Sequence, residues 1–163
     1  MSIDIKVPAM GESVTEATVA RNLATWPAAM TEREALDRIA QAEAERAAGQ
    51  AVALAIRRRR DDRLVGWIGL QRAEDSPTTG LLGYWIGAGF RNQGYLSEIL
   101  EPAIGALAAA LGVERVDALV YPRNEASIHI LEKSGFRRLG EQAIHSPVRG
   151  TCEPCLRYGR GMA

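Results

Sequence analysis

The segment with the most chemical content reads Gly83-Tyr84-Trp85-Ile86-Gly87-Ala88-Gly89-Phe90-Arg91-Asn92-Gln93-Gly94-Tyr95-Leu96. An apolar stretch runs into a glycine-rich turn, and the turn opens an amphipathic run. Such a turn presents unpaired backbone N–H groups at the positive end of a helix dipole, a site suited to a diphosphate. Gly94 leaves no Cβ between the backbone and the phosphate oxygens. The spacing is not Gly-x-x-x-x-Gly-Lys-Ser/Thr, nor is Gly-x-Gly-x-x-Gly present in this turn, so neither a P-loop nor a dinucleotide fingerprint is implied. Taken alone, the turn also suits an ordinary tight connection between a strand and a helix. A second feature is Cys152-Glu153-Pro154-Cys155. Redox pairs of this kind place the first cysteine at a helix start, whereas a terminal strand follows here. Zinc needs about four ligands, and no second pair exists. A thiol or redox role is the lesser alternative.

These residues need a scaffold, and the composition supplies one. The chain has 163 residues, 47% of them hydrophobic, with 20 basic and 20 acidic side chains and a formal net charge of zero. One domain spanning 1–163 with its own core is expected. Zero net charge argues against a protein that coats nucleic acid or an anionic membrane. No window reaches the roughly 18 to 20 apolar residues of a membrane span. No basic segment followed by an apolar one opens the chain, and two cysteines do not make a disulfide framework. A soluble cytoplasmic domain is the expectation.

Along the chain, Ile3 to Val7 alternates like a half-buried strand and Pro8 closes it. Glu12 to Thr25 reads as a short helix. Thr31 and Glu34 form a capping-box pair, opening a helix to about Ala48 with Leu36, Ile39 and Ala40 inward. Ala51–Ile56 and Leu64–Leu70 read as a hairpin with the charged tip Arg57-Arg58-Arg59-Arg60-Asp61-Asp62-Arg63. Four consecutive arginines suit a phosphate, but two aspartates follow directly, and a solvated tip is the simpler reading. Glu74 to Gly80 reads as a polar loop, Leu81 to Gly87 as a strand, and Gly94 to Leu111 as a long helix kinked at Pro102. A strand at Arg115–Tyr121, a helix at Asn124–Ser134 and strands at Phe136–Ile144 and Cys155–Arg160 complete the chain. The pattern implies an α/β or α+β fold, a mixed sheet with helices on both faces.

One strand after the glycine turn comes Asn124-Glu125-Ala126-Ser127, followed by Leu131-Glu132-Lys133-Ser134-Gly135-Phe136. Together with Arg91-Asn92-Gln93-Gly94-Tyr95-Leu96, these segments resemble the GNAT superfamily of acetyl-CoA-dependent N-acetyltransferases, in particular its ribosomal-protein-alanine acetyltransferase branch. The first segment matches the family's Asn-x-x-Ser and Leu-Glu-Lys-x-Gly-Phe pattern. The turn matches Arg/Gln-x-x-Gly-x-Gly/Ala, except that Leu96 stands where a small residue is usual. The resemblance covers roughly Val19 to Arg160.

The resemblance implies a sheet splayed between its fourth and fifth strands, with acetyl-CoA in the opening. Pantetheine would pair with backbone at Ile86, Gly87 and Ala88, in the manner of an added strand. The pyrophosphate would lie on the amides of Asn92, Gln93, Gly94, Tyr95 and Leu96, with Arg91 adding charge. A neutral amine would attack the thioester directly in a ternary complex. An N–H near Ile86 and Gly87 would face the developing oxyanion, and Ser127 would donate to the departing sulfur. Asn124 would bond pantetheine, cap its helix, or do both. The base stays open among Glu141, Glu98, Tyr84 and an ordered water, with His129 and His145 as lesser candidates. The acceptor would be a protein N-terminus, an amino acid or a small amine. Residues 12–48, 73–80 and 145–154 would select it. No metal is implied, and a homodimer through terminal strands is compatible. A non-catalytic acyl-CoA binder on the same fold is the other class left open. Separately, Ile5 to Val19 resembles the start of a lipoyl domain of dihydrolipoyl acyltransferases, but the resemblance ends near Ala20, before any lipoylated lysine.

Overall fold

Alternating apolar side chains decide which way each strand faces. Val52, Leu54 and Ile56 fall on one side of their strand, and Ile68 and Leu70 lie opposite Leu54 and Val52 in the next. Leu82 and Tyr84 continue that side, as do Val116, Ala118 and Val120. The computed structural model describes residues 3–6, 32–146 and 151–162. It assembles β1 (Ile3–Lys6), β2 (Ala51–Arg58), β3 (Arg63–Ala73), β4 (Ser76–Ile86), β5 (Arg115–Val120), β6 (Arg137–Ser146) and β7 (Thr151–Gly161) into one sheet of order β1-β2-β3-β4-β5-β7-β6. Only the β4–β5 pair is parallel among these neighbours.

Helix α2 (Tyr95–Leu111) lays Ile99, Leu100, Ala103, Ile104, Leu107 and Leu111 on the apolar side of the sheet. Burying a leucine or isoleucine there contributes about 1.5–3 kcal/mol. Pro102 stands on the helix's exposed side and does not end it. Helix α3 (Glu125–Lys133) covers the same side near β7, where the Tyr158 hydroxyl donates to Glu132 at 2.9 Å. Helix α1 (Glu32–Ala47) packs on β2, and its Glu45 shares a surface cavity with Gln71, which points away from α2. Helices therefore flank both faces. On the face away from α2, Asp117 is fully buried and held by Arg115 at 2.7 Å and Arg157 at 2.7 Å. Gly159 makes room for that cluster, since a Cβ there would stand 2.4 Å from Asp117 Oδ1.

Several elements differ from expectation. The strand expected at Leu81 starts at Ser76, so 74–80 is mostly a tight β3–β4 hairpin and not a loop. Pro77 is tolerated because it falls in the register shift beside Ala73, where no ladder bond is required of it. Of the three residues expected inward on α1, Leu36 is 58% exposed and Ala40 is exposed, while Ile39 is half-buried. The helix is dominated by Glu, Arg and Ala, leaving too narrow an apolar stripe to bury. β6 and β7 extend further toward each other than expected, which moves His145 from a loop onto β6 opposite Cys152. The helix expected at Glu12–Thr25 and the lipoyl-like stretch beyond Lys6 lie outside the described residues.

The relationship that matters for function is how β4 and β5 part. They pair only from Thr79–Arg115 to Leu82–Ala118. Past that point Gly83 to Ile86 keep β3 on one side and, among the described residues, have no strand on the other. The sheet is splayed there, between its fourth and fifth strands.

Candidate active site

Backbone direction along the splayed part of β4 follows from one hydrogen bond. Gly87 N–H donates to Val65 O at 2.9 Å, on the β3 side. Because peptide groups alternate sides along a strand, the N–H and C=O of Tyr84 and Ile86 point the other way, into the opening. Leu82, two residues earlier, uses that same side to pair with β5. Of the pair Ile86 and Gly87, it is thus Ile86 whose amide is available as a donor, and the Gly87 amide is committed to the ladder. Ala88 is no strand residue either: Ala88–Phe90 is one turn of 3-10 helix, closed by Phe90 N–H to Gly87 O at 2.8 Å. Strand-like pairing with a ligand stops at Ile86.

Below the opening, the turn from Arg91 to Gly94 leads into α2. Asn92 and Gly94 have φ of 57° and 80°, the left-handed region that lets a tight turn close. Gly94 is the residue before the helix and has no side-chain cap. The first helical bond runs from Glu98 N–H to Gly94 O at 3.0 Å. The N–H groups of Tyr95, Leu96 and Ser97 precede that bond and have no partner within the helix. A Cβ added at Gly94 would meet nothing within 4 Å, so the approach to these amides is open. The Leu96 side chain packs against the core, which leaves its main chain free to serve the turn. The Tyr95 side chain is buried and meets the Phe90 ring edge-on at 6.3 Å. Only its backbone can face a ligand. Arg91 donates from Nε to Ile86 O at 3.3 Å, tying the turn to the end of β4, and Gln93 donates to Gly89 O at 2.9 Å.

Across the opening, Asn124 caps α3 by accepting the Ser127 N–H on Oδ1 at 3.3 Å. Of the two roles open to Asn124, capping is the one its side chain performs. The cap holds Ser127 in the first turn, and its hydroxyl comes close enough to the Tyr84 phenol of β4 to act on its proton affinity. Burial pushes the Tyr84 hydroxyl above its ordinary value of 10, while the nearby Ser127 hydroxyl pulls the other way. The phenol is a proton donor at neutral pH.

The structure does not bring Glu141 to this place. It stands exposed on the edge strand β6, with β7 between it and β5, and its carboxylate pairs with Arg138 at 2.8 Å. Sequence position alone could not reveal this, because the strand order reverses at β6 and β7. Glu98 and His129 are exposed on α2 and α3. His145 lies on β6, with Nδ1 3.9 Å from Cys152 Sγ. Cys152 is exposed and Cys155 buried, as residues three apart on a strand must point to opposite faces. That arrangement excludes the two thiols from bridging each other. Among the described residues no cluster of three or more His, Cys, Asp or Glu could hold a metal, and no helix is long and apolar enough to cross a membrane.

Comparisons with known proteins agree with this geometry. The family model described as an acetyltransferase (GNAT) domain matches residues 6–137. The Bacillus subtilis (strain 168) protein named Probable N-acetyltransferase YjcK is 30% identical over 94 residues, 57% of this chain and 52% of its own length. The chain thus spans about half of that relative. Among solved structures, the ribosomal-protein-S5-alanine acetyltransferase from Vibrio fischeri superposes with a TM-score of 0.71 at 20% identity, over 88% of this chain and 82% of its own. The microcin C7 self-immunity acetyltransferase MccE, solved with acetyl-CoA and AMP, superposes with a TM-score of 0.75 at 18% identity, over 98% and 92% of the two chains. At these identities the two structures speak for the fold.

Proposed function

The chain belongs to the GNAT acetyltransferase family, and on that premise we propose that it moves an acetyl group from acetyl-CoA to a primary amine by direct attack in a ternary complex. The observation that carries this reading is the coincidence of three features: the parting of β4 and β5 after Leu82, the uncapped start of α2, and the Tyr84–Ser127 pair facing the gap. They fit an acyl-CoA in outline. Unpaired amides of Tyr95, Leu96 and Ser97 suit its diphosphate. The outward backbone of Tyr84 and Ile86 suits the amides of its pantetheine arm, as in strand addition.

Each residue then has a role set by where it points. The Ile86 N–H is the donor for the thioester oxygen as negative charge builds there, fixed in advance by the β3–β4 ladder. The Tyr84 and Ser127 hydroxyls stand where a departing thiolate needs hydrogen bonds, and the phenol, held protonated by burial, is the better donor of the two. In this reading an ordered water takes the proton of the amine, because β7 separates Glu141 from the gap and Glu98 is exposed on α2. Arg91 braces the turn against β4 and adds charge at the mouth.

Similarity to a ribosomal-protein acetyltransferase supports a protein N-terminus as the acceptor class, with amino acids and small amines as the other members of the panel. Release of free thiol from acetyl-CoA, measured across such a panel, tests the reading. Turnover with at least one amine is expected, and absence of both turnover and acetyl-CoA binding overturns it.

A further inference from the structure

Folding brings the basic tip of the β2–β3 hairpin against the diphosphate turn. The guanidinium carbons of Arg58 and Arg63 lie 5.1 and 5.2 Å from the centre of the Phe90 ring, the last residue of the 3-10 turn. Arg58 also reaches the Tyr95 side chain at the start of α2. The contact follows from register: Gly66 pairs with Ile86, so Arg63 and the tip project just beyond the end of β4.

The arginines of the tip are not equivalent. Arg57 forms a forked pair with Asp62, both bonds at 2.9 Å, and Arg58 forks onto Asp61 with its Nε bond at 2.8 Å. These pairs fix the tip's shape and neutralise two charges. Arg59 and Arg63 have no carboxylate within ion-pairing distance among the described residues, and Arg60 comes only to 4.0 Å from Asp61. Arg91, close by, spends its side chain on a backbone carbonyl. Six arginines therefore share this end of the sheet with two aspartates, in a chain whose total charge is zero. The surplus is concentrated beside the turn.

Resting on the reading that residues 91–97 hold a diphosphate, we propose that Arg59, Arg60 and Arg63 form the subsite for the third phosphate of coenzyme A, the 3′-phosphomonoester of its adenosine. The diphosphate is served by fixed amides and a helix dipole. The phosphomonoester hangs one ribose away, carries about −1.5 to −2 charge at neutral pH, and needs full cations that can follow it. Arginine offers forked donors matched to phosphate oxygens. A tip pinned by Arg57–Asp62 and Arg58–Asp61, whose remaining arginines are not held in carboxylate forks, presents such cations without exposing a floppy loop.

The test compares acetyl-CoA with acetyl-3′-dephospho-CoA as donors, in the wild-type chain and in an Arg59→Ser/Arg60→Ser variant that keeps both aspartate forks. The wild type is expected to favour the phosphorylated donor by about tenfold in KM. In the variant the preference falls to about threefold or less, and in the wild type it shrinks as salt rises from 20 to 300 mM, roughly a threefold to fourfold shorter screening length. Equal KM values for the two donors in the wild type, or a preference undiminished in the variant, overturn the subsite while leaving the acetyltransferase reading standing. Failure of both donors to bind or turn over overturns that reading and the subsite together.

Discussion

The Tyr84 phenol on β4 and the Ser127 hydroxyl on α3 come near each other where the sheet has come apart. Their meeting depends on two unrelated local events. β4 must run past its last pairing with β5, and Asn124 must cap α3 so that Ser127 sits in its first turn. We expect Tyr84→Phe and Ser127→Ala each to lower kcat by about 10- to 100-fold, at the low end of what proton donors contribute, with the KM for acetyl-CoA within about threefold. Steady-state kinetics of both variants checks this, and undiminished turnover removes the residue concerned from the mechanism.

The two possible roles of Tyr84 separate on a pH profile. Burial raises its hydroxyl above 10, so it stays protonated across the neutral range and cannot titrate there. The rise of kcat/KM with pH should then track deprotonation of the amine acceptor. Tyr84→Phe is expected to lower the whole profile without moving its inflection. A moved inflection would mark Tyr84 as a base.

Gly94 separates backbone strain from ligand clash. Its φ of 80° penalises any side chain, while the space around it is open. Gly94→Ala should cost about 1–2 kcal/mol of stability, read from denaturant unfolding. Gly94→Glu should fold comparably, yet put a carboxylate beside the amides of Tyr95 and Leu96 and weaken acetyl-CoA binding at least about 100-fold through loss of the site and like-charge repulsion. Calorimetry showing intact affinity in Gly94→Glu would mean the diphosphate lies elsewhere.

Arg160 on β7 joins the two helices of one face, bonding Glu101 of α2 at 2.5 and 2.7 Å and the Ser134 carbonyl after α3 at 2.7 Å. The Arg160 guanidinium holds the Glu101 carboxyl below its ordinary value of 4.5. A depressed carboxylate adds stability that is full above pH 4.5 and fades as pH falls through the lower folded value. The carboxylate is 60% exposed, so solvent screening limits the effect to about 1 kcal/mol or less. Glu101→Gln should flatten the stability curve in that acidic window and change little at pH 7. Unfolding titrations at pH 3.5 and 7 decide it.

Cys152 and Cys155 should behave as independent thiols. Burial raises the Cys155 thiol's pKa and hides it, whereas Cys152 is exposed. A thiol reagent is expected to label one cysteine in the native protein and both after denaturation, and acetyl transfer should persist in a Cys152→Ser variant. No labelled thiol in the denatured, unreduced protein would reveal a bridge that the strand geometry forbids.

Much of this was legible in the amino acids because it is local. Apolar runs between turn residues marked seven strands, Gly94 marked an open turn before a helix, and Asn124 was readable as a cap among its two roles. Each is a property of a few neighbouring residues, so it survives without knowledge of the rest. The start of β4 at Ser76 was not legible, because Pro77 reads as a strand breaker until its missing donor is seen to fall in a register shift.

What only the tertiary structure decided is long-range. Glu141 was compatible by type with a base, but the strand order sets β7 between it and the gap. Ile86 and Gly87 looked alike as donors until the Val65 bond showed which amide the ladder consumes. The arginines at 57–60 read as a solvated tip, yet the β3–β4 register carries Arg58 of that run, with Arg63 after it, to Phe90 beside the start of α2. Local sequence sets backbone propensity and side-chain sidedness. Which distant charges and hydroxyls meet is set by strand order and register, and these come from packing the whole apolar face at once.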